Sequence, residues 1–265
     1  PAAVLALVLV ALTALVLYVE GRTRRGGTFR AGPGTARRAP TVALGRWKAP
    51  ALAFCATVAT FFLVVPAAVL AYWLVRGLEL RRPLGFPWDA AAHSLVAASR
   101  AAAVAVAAAL PVAVLARRFP TWWTRGLERT AFSANALPGI VIALSLVFFA
   151  ARYLTPLYQT LALLVFAYVV RFFPQALAGV DSALAGVSPR MEEAARSLGR
   201  GHLATLASVT VPLVRSGLGA GAALVFLSAM KELPATLLLR PIGFDTLATD
   251  IWRFTAVGAY SRAAL

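Results

Sequence analysis

Six apolar runs, 2–19, 50–75, 94–116, 131–151, 156–179 and 213–231, alternate with segments rich in arginine. A run of about 20 apolar residues spans the hydrocarbon core of a bilayer as a helix. Six in succession leave little sequence for a water-facing domain. Composition agrees: 60% of residues are hydrophobic, 14% are charged and the mean hydropathy is +0.78. These values describe an integral membrane protein. The expected fold is all-α, a polytopic bundle of membrane helices. Pro66 inside the second run predicts a kink that neighbouring helices accommodate, and Pro138-Gly139 breaks the fourth.

The charge is unevenly placed. A net charge of +16 would suggest nucleic acid in a soluble chain. Here the basic residues lie between apolar runs, and no aromatic-plus-basic patch is arranged to read bases. Segments 20–48, 117–129 and 181–215 hold sixteen Arg and Lys, whereas those at 76–89 and 152–155 hold four. The positive-inside rule therefore puts the first three in the cytoplasm and the other two outside. Segment 20–49, with Gly, Pro and Thr among its arginines, reads as a flexible basic linker. Alanine is abundant in the third run, where small side chains let helices approach closely in lipid.

Other features exclude alternatives. The one cysteine, Cys55, lies in an apolar run, so there is no internal disulfide framework. No phosphate-cradling G-x-x-x-x-G-K-[ST] sequence occurs, so the chain is not expected to hydrolyse ATP. No catalytic constellation is present, and the reading is a transport subunit and not an enzyme. His93 and His202 are isolated, and no His/Cys/Asp/Glu cluster has metal-ligand spacing. Lys231, Glu232, Pro234 and Asp245 lie at and just after the end of the sixth run and are candidate pathway residues, although helix-end roles also suit them; Asp250 is a further acid there. Arg100 and Arg171 lie in runs, and an intramembrane charge is a functional hypothesis by default.

The most specific segment is 193–212, EAARSLGRGHLATLASVTVP. Ser188-Pro189 predicts a helix start, with Ser as cap and Pro in the first turn. Glu192 and Glu193 follow, where negative charge suits the helix dipole. Ala194 and Ala195 leave room for another protein surface. Gly199 and Gly201 permit a tight turn. Residues 202–211 then form a second short helix, which Pro212 separates from the sixth run. The expected product is a helix-turn-helix lying along the membrane surface.

This segment resembles the E-A-A loop of binding-protein-dependent ABC importer permeases: E-A-A, three residues, Gly, nine residues, Ile, any residue, Leu-Pro. Glu193, Ala194, Ala195, Gly199 and Pro212 match, while Val209 and Val211 stand for the Ile and the Leu. Residues 230–241, MKELPATLLLRP, with GFDTLAT at 243–249 and VSPRMEEAARSLG at 187–199, are similar to the ferric-iron type, in which one polypeptide carries two permease repeats. The resemblance implies the type I importer permease fold. Residues 1–19 would be the last helix of a first repeat, and 50–265 a second repeat with about six spans in all and its closing helix missing. The chain, beginning at Pro1 without Met or a basic leader, reads as part of a longer permease.

The resemblance also implies partners: a dimer of ABC ATPase subunits, which bind ATP and Mg, on the loop 187–212; a periplasmic binding protein; the other repeat; and the lipid of the bacterial inner membrane. For Glu193, a contact to the ATPase and simple helix-dipole charge remain equal readings. Ferric iron is the implied substrate, with thiamine, polyamine, phosphonate and sulfate open. An ion-coupled secondary transporter would need acids in mid-span, which the runs almost lack. A non-transporting membrane scaffold would need no Gly- and Pro-marked loop.

The charge pattern predicts that cysteines placed at positions 37 and 199 of a Cys55-free protein are shielded from an impermeant reagent in intact cells, while one at position 85 reacts. Reaction at 199 but not at 85 would invert the topology.

Overall fold

A computed structural model of the chain describes residues 44–80 and 85–264. Their regular secondary structure is all helical, joined by short turns, with no strand among the described residues. The first run, 1–19, and most of the linker 20–49 lie outside the described residues. In chain order the helices are α1 (Gly45–Glu79), α2 (Trp88–Arg118), α3 (Trp122–Ser133), α4 (Gly139–Tyr153), α5 (Leu161–Ala185), α6 (Pro189–Ser197), α7 (His202–Met230), α8 (Pro234–Leu239), α9 (Leu247–Ala256) and α10 (Tyr260–Ala263). Four are long and apolar enough to cross a membrane: α1, α2, α5 and α7, of 35, 31, 25 and 29 residues. At a rise of about 1.5 Å per residue each exceeds the roughly 30 Å hydrocarbon thickness.

The chain divides into two compact units. The larger, described from Pro87 to Asp250, is built around α2, α5 and α7. The α2 face turned into it is almost all alanine: Ala97, Ala101, Ala105, Ala109 and Ala113 recur every fourth residue and are buried. That spacing keeps one small-residue stripe on one side of the helix. α5 and α7 run antiparallel in register. Gly179 lies on Gly221, Ala183 on Gly217, and Ser228 donates to Gln175 at 2.9 Å. A Cβ on Gly217 would sit 2.2 Å from the Ala183 Cβ, and one on Gly179 would sit 2.8 Å from the Gly221 Cα. The backbones thus meet through paired small residues four apart, the geometry that drives helix association in lipid. Larger apolar side chains, Tyr168, Leu164, Leu177 and Leu184, fill the rest of the core.

The other unit, described over 44–80, 85–86 and 251–264, consists of α1 with the segment that carries α10. Trp73 and Tyr260 rings meet at 5.0 Å. Gly77 is the one buried residue of α1; Ala51, Trp73 and Leu74 are half-buried, and its other apolar side chains are exposed.

Several expectations are corrected. Segment 117–129, which the sequence suggests is a cytoplasmic loop between spans, is largely α3, started by a capping box in which Thr121 and Thr124 bond each other's backbone N–H. The run 131–151 is broken at Pro138-Gly139 as expected: α3 and α4 meet at 105° across Leu137-Pro138, and the bent pair α3–α4 together is apolar enough to count as a fifth, broken span. Proline disfavours helix in the residue before it, and Leu137 is extended (ψ 124°). The run 156–179 extends to Ala185, so Asp181 is helical. Pro212 does not separate a short helix from the sixth run, because α7 is continuous from His202 to Met230. It is preceded by a π-helical turn, Leu206–Thr210, in which the Val211 N–H bonds Leu206 O. Pro66 in α1 is preceded by the same device, Thr60–Val64, with Val65 bonded to Thr60 O. Widening the turn before a proline absorbs the lost donor and the ring clash without ending the helix.

Substituting Gly217 by Leu should therefore lower stability in detergent by about 1–3 kcal/mol or prevent folding, since the intruding side chain meets backbone-level packing. Gly219→Ala, whose added Cβ meets nothing within 4 Å, should melt as the parent does. Equal melting of Gly217→Leu and the parent would contradict the close α5–α7 approach.

Candidate functional site

The 187–212 segment folds as two helices around a tight turn. Pro189 occupies the first turn of α6, where its missing N–H costs nothing. Ser188 takes the extended cap conformation, but its hydroxyl makes no capping bond, contrary to expectation. The acid of the first turn is Glu192; Glu193 follows it. α6 ends through Gly199 at φ +85°, with its N–H on Arg196 O and that of Arg200 on Ala195 O. A left-handed residue closing the last carbonyls is a glycine C-cap. The chain then re-enters helix at His202.

Within this loop the matched residues separate by role. Ala195 is buried, whereas Glu193 and Ala194 are exposed on the outer face. Leu198 and Leu203, on either side of the glycine turn, are 85% and 82% exposed. Two bare leucines flanking a small-residue surface form an apolar knuckle that water solvates poorly. Val209 and Val211 are half-buried and Pro212 is exposed, so these three belong to the root of α7 and not to the outer face.

Glu192, not Glu193, does the anchoring. Its Oε1 accepts from Arg118 Nη2 at 2.7 Å and from Thr210 Oγ1 at 2.8 Å. The end of α2, the first turn of α6 and the π turn of α7 are therefore joined at one carboxylate oxygen. Both ionic side chains are about 15% exposed, at 16% and 14%, so the pair is less screened than a surface one. Beside it, Arg117 forks onto Asp181, with 2.7 and 3.0 Å to Oδ1 and 3.1 Å to the backbone O. A groove of about 500 Å³ opens between α2 and the loop, lined among others by Arg118, Glu192, Glu193, Arg196 and His202. Sequence reasoning did not see the Glu192–Arg118 pair. Its signal was available: an acid in a loop helix start and a basic helix end assigned to the same membrane face.

The candidate pathway residues are not brought together. Lys231 caps α7 and is exposed; Pro234 starts α8. Asp245 pairs with Arg240, and its backbone carbonyl accepts from His93 Nδ1 at 3.0 Å, while Ser94 Oγ accepts from the Leu247 N–H at 2.8 Å. His93 also stacks on Phe244 at 4.2 Å. Asp245 thus belongs to a turn fastened to the start of α2. Glu232 is different. It is buried and its Oε2 accepts from Arg171 Nε of α5 at 3.1 Å. Arg171 Nη1 also donates to Leu137 O at 3.1 Å, at the α3–α4 break. Arg100 lies exposed on α2. Among the described residues no group of three or more His, Cys, Asp or Glu could hold a metal.

A family model, the binding-protein-dependent transport system inner membrane component, matches residues 104–264. The chain belongs to that family. It is an ABC transporter permease, an inner-membrane transport component and not an enzyme. The permease is 33% identical, over 99% of its length, to an Fe(3+)-transport system permease protein of Haemophilus influenzae, of which it covers 53%. It is 26% identical to a putative 2-aminoethylphosphonate transport system permease protein of Salmonella typhimurium over 66% of each chain. A probable molybdenum ABC transporter permease protein of Haloferax volcanii is 32% identical over 62% of each. The permease spans about half the length of the Haemophilus relative and about two thirds of the other two.

Gly199 at φ +85° has nothing within 4 Å of an added Cβ, so a substitution there is opposed by backbone strain alone. Gly199→Val should cost about 1–2 kcal/mol locally, leave membrane insertion intact and open the turn between α6 and α7. In the full-length assembly, substrate-stimulated ATP hydrolysis should fall while the permease is still recovered from the membrane. Parental stimulation in that variant would remove the turn from the coupling path.

Proposed function

We propose that this permease conducts ferric iron, delivered by a periplasmic binding protein, and is driven by ATPase subunits that seat on the 187–212 loop. The observation that carries the substrate is the 33% identity to the Haemophilus Fe(3+) permease across 99% of the chain. The 230–241 and 243–249 sequences, similar to the ferric type, support it. Phosphonate and molybdenum permeases match over shorter stretches, 66% and 62% of the chain.

The geometry of the loop supports the partner. Ala194, Glu193, Leu198 and Leu203 form an exposed face of small, acidic and apolar groups on a helix held by Glu192 to two other helices. Apolar projections beside small residues fit into a groove of a partner. A rigid mount then passes the partner's motion inward. ATP and Mg would be bound by that partner. Residues 50–265 would form one permease unit, with 1–19 and 20–49 belonging to a preceding repeat and its connector. A permease needs no complete ligand shell for a hard cation if recognition sits on the delivering protein. That accounts for an iron system without a His/Cys/Asp/Glu cluster among the described residues.

Deletion of the parent gene should slow growth under iron limitation, with restoration by added ferric salt. Unchanged ferric uptake in the deletion strain, with loss of phosphonate or molybdate uptake, would overturn iron and leave the importer class standing.

A further inference from the structure

Arg171 lies near the middle of α5, ten residues from its first and fourteen from its last. At about 1.5 Å per residue it is some 15 Å from one end and 21 Å from the other, deep in a span. Snorkelling to an interface does not explain a charge there. Its partner Glu232 is 7% exposed. Two helix breaks converge on this pair. One is the 105° bend at Leu137-Pro138; the other is the gap between Met230 and Pro234. A broken helix within a membrane leaves backbone donors and acceptors that lipid cannot satisfy. The pair supplies them: Arg171 donates to Leu137 O at 3.1 Å, and Glu232 Oε1 accepts from the Ala235 N–H at 3.4 Å.

The packing leaves no slack. A Cβ on Gly139, the first residue of α4, would lie 2.8 Å from Glu232 Oε1 and 2.9 Å from Arg171 Nε. Glycine at that position lets the start of α4 close over the ion pair. Behind it, Tyr168 and Thr236 hydroxyls share a bond of 2.5 Å, and Thr236 bonds Glu232 O. The ion pair therefore links α4, α5 and α8 at one point, alongside the Tyr168–Thr236 bond and the direct packing of α8 on α4. α5 and α7 are also the two helices that run directly into and out of the 187–212 loop.

We propose that Arg171 and Glu232 are positioning residues for transport: they tie the α3–α4 bend to α5 and α8, so that displacement of α5 and α7 at the loop moves α4. A buried ion pair is not needed for this fold to be stable, because well-packed apolar replacements of such pairs are commonly neutral or stabilising. Mechanical connection is what an apolar pair would lose, since it cannot hold Leu137 O and the Ala235 N–H together. This inference rests on the importer reading above.

The test uses the full-length parent permease assembled with its ATPase in proteoliposomes, with the binding protein and ferric substrate supplied. The double variant R171M/E232M leaves Leu137 O and the Ala235 N–H without these partners, so it should melt below the parent while still co-purifying with the ATPase. Substrate delivered per ATP hydrolysed should fall about tenfold, within the usual range of coupling between sites. Should that variant fail to assemble, Gly139→Ala decides, because it forces the pair apart without removing either charge. The charge exchange R171E/E232R restores the pair but not the donation to Leu137 O, so it should stay uncoupled. A parental transport-to-hydrolysis ratio in R171M/E232M, in Gly139→Ala where it decides, or in the exchange variant would overturn the proposal. Failure of the parent itself to bind the ATPase would instead overturn the importer reading on which it rests.

Discussion

The close approach of α5 to α7 sets everything else in the larger unit. Lipid tails are as apolar as leucine, so burying leucine between helices gains little; contact area and backbone proximity decide. Gly179, Ala183, Gly217 and Gly221 remove the side chains that would hold the two helices apart. That contact fixes the antiparallel register. The register in turn places Gln175 against Ser228 and Arg171 against Glu232. The alanine stripe of α2 lets a third helix join the pair at similar range. A bulky residue at any of these crossings would shift polar partners that lie several turns away.

Charges in this unit are used sparingly, and each pair joins elements that the small residues alone would leave free to slide. Arg118–Glu192 and Arg117–Asp181 sit where α2 ends, fixing it to α6 and α5. Arg240–Asp245, His93 and Ser94 fasten the turn before α9 to the start of α2. Arg171–Glu232 lies between these levels. Partly buried pairs of this kind contribute little net stability once desolvation is counted, but they are directional in a way that Gly and Ala contacts are not. Their value lies in fixing angle and register.

Much of this was legible in the sequence, for physical reasons that differ by element. Long apolar runs must become helices in lipid, so α1, α2, α5 and α7 follow from composition along the chain. The left-handed turn at Gly199 was legible because few residues other than glycine adopt it cheaply. Proline was a reliable guide at one site and not at another. At Pro212 it implied a break that a π turn absorbed, whereas at Pro138 it produced a bend sharp enough to divide one run into two helices. Which outcome holds depends on whether neighbouring groups can satisfy the freed backbone, and that is tertiary information. The same limit hid the partners of Arg171 and Glu192. Each lay in plain sight as a charge, but the 61 residues from Arg171 to Glu232 and the 74 from Arg118 to Glu192 carry no local trace of the pairing.

The continuity of α7 has a geometric consequence. Its 29 residues form a rod about 44 Å long, with the exposed glycine turn at one end and Glu232 just past the other. A rod converts rotation at one end into translation at the other. A tilt of about 5° about the loop end sweeps the far end through about 4 Å, roughly the rise of two to three residues along a helix. Had Pro212 severed the helix, the same push would have been spent in bending a joint near the membrane surface. The widened turn at Leu206–Thr210 keeps the lever arm at its full length.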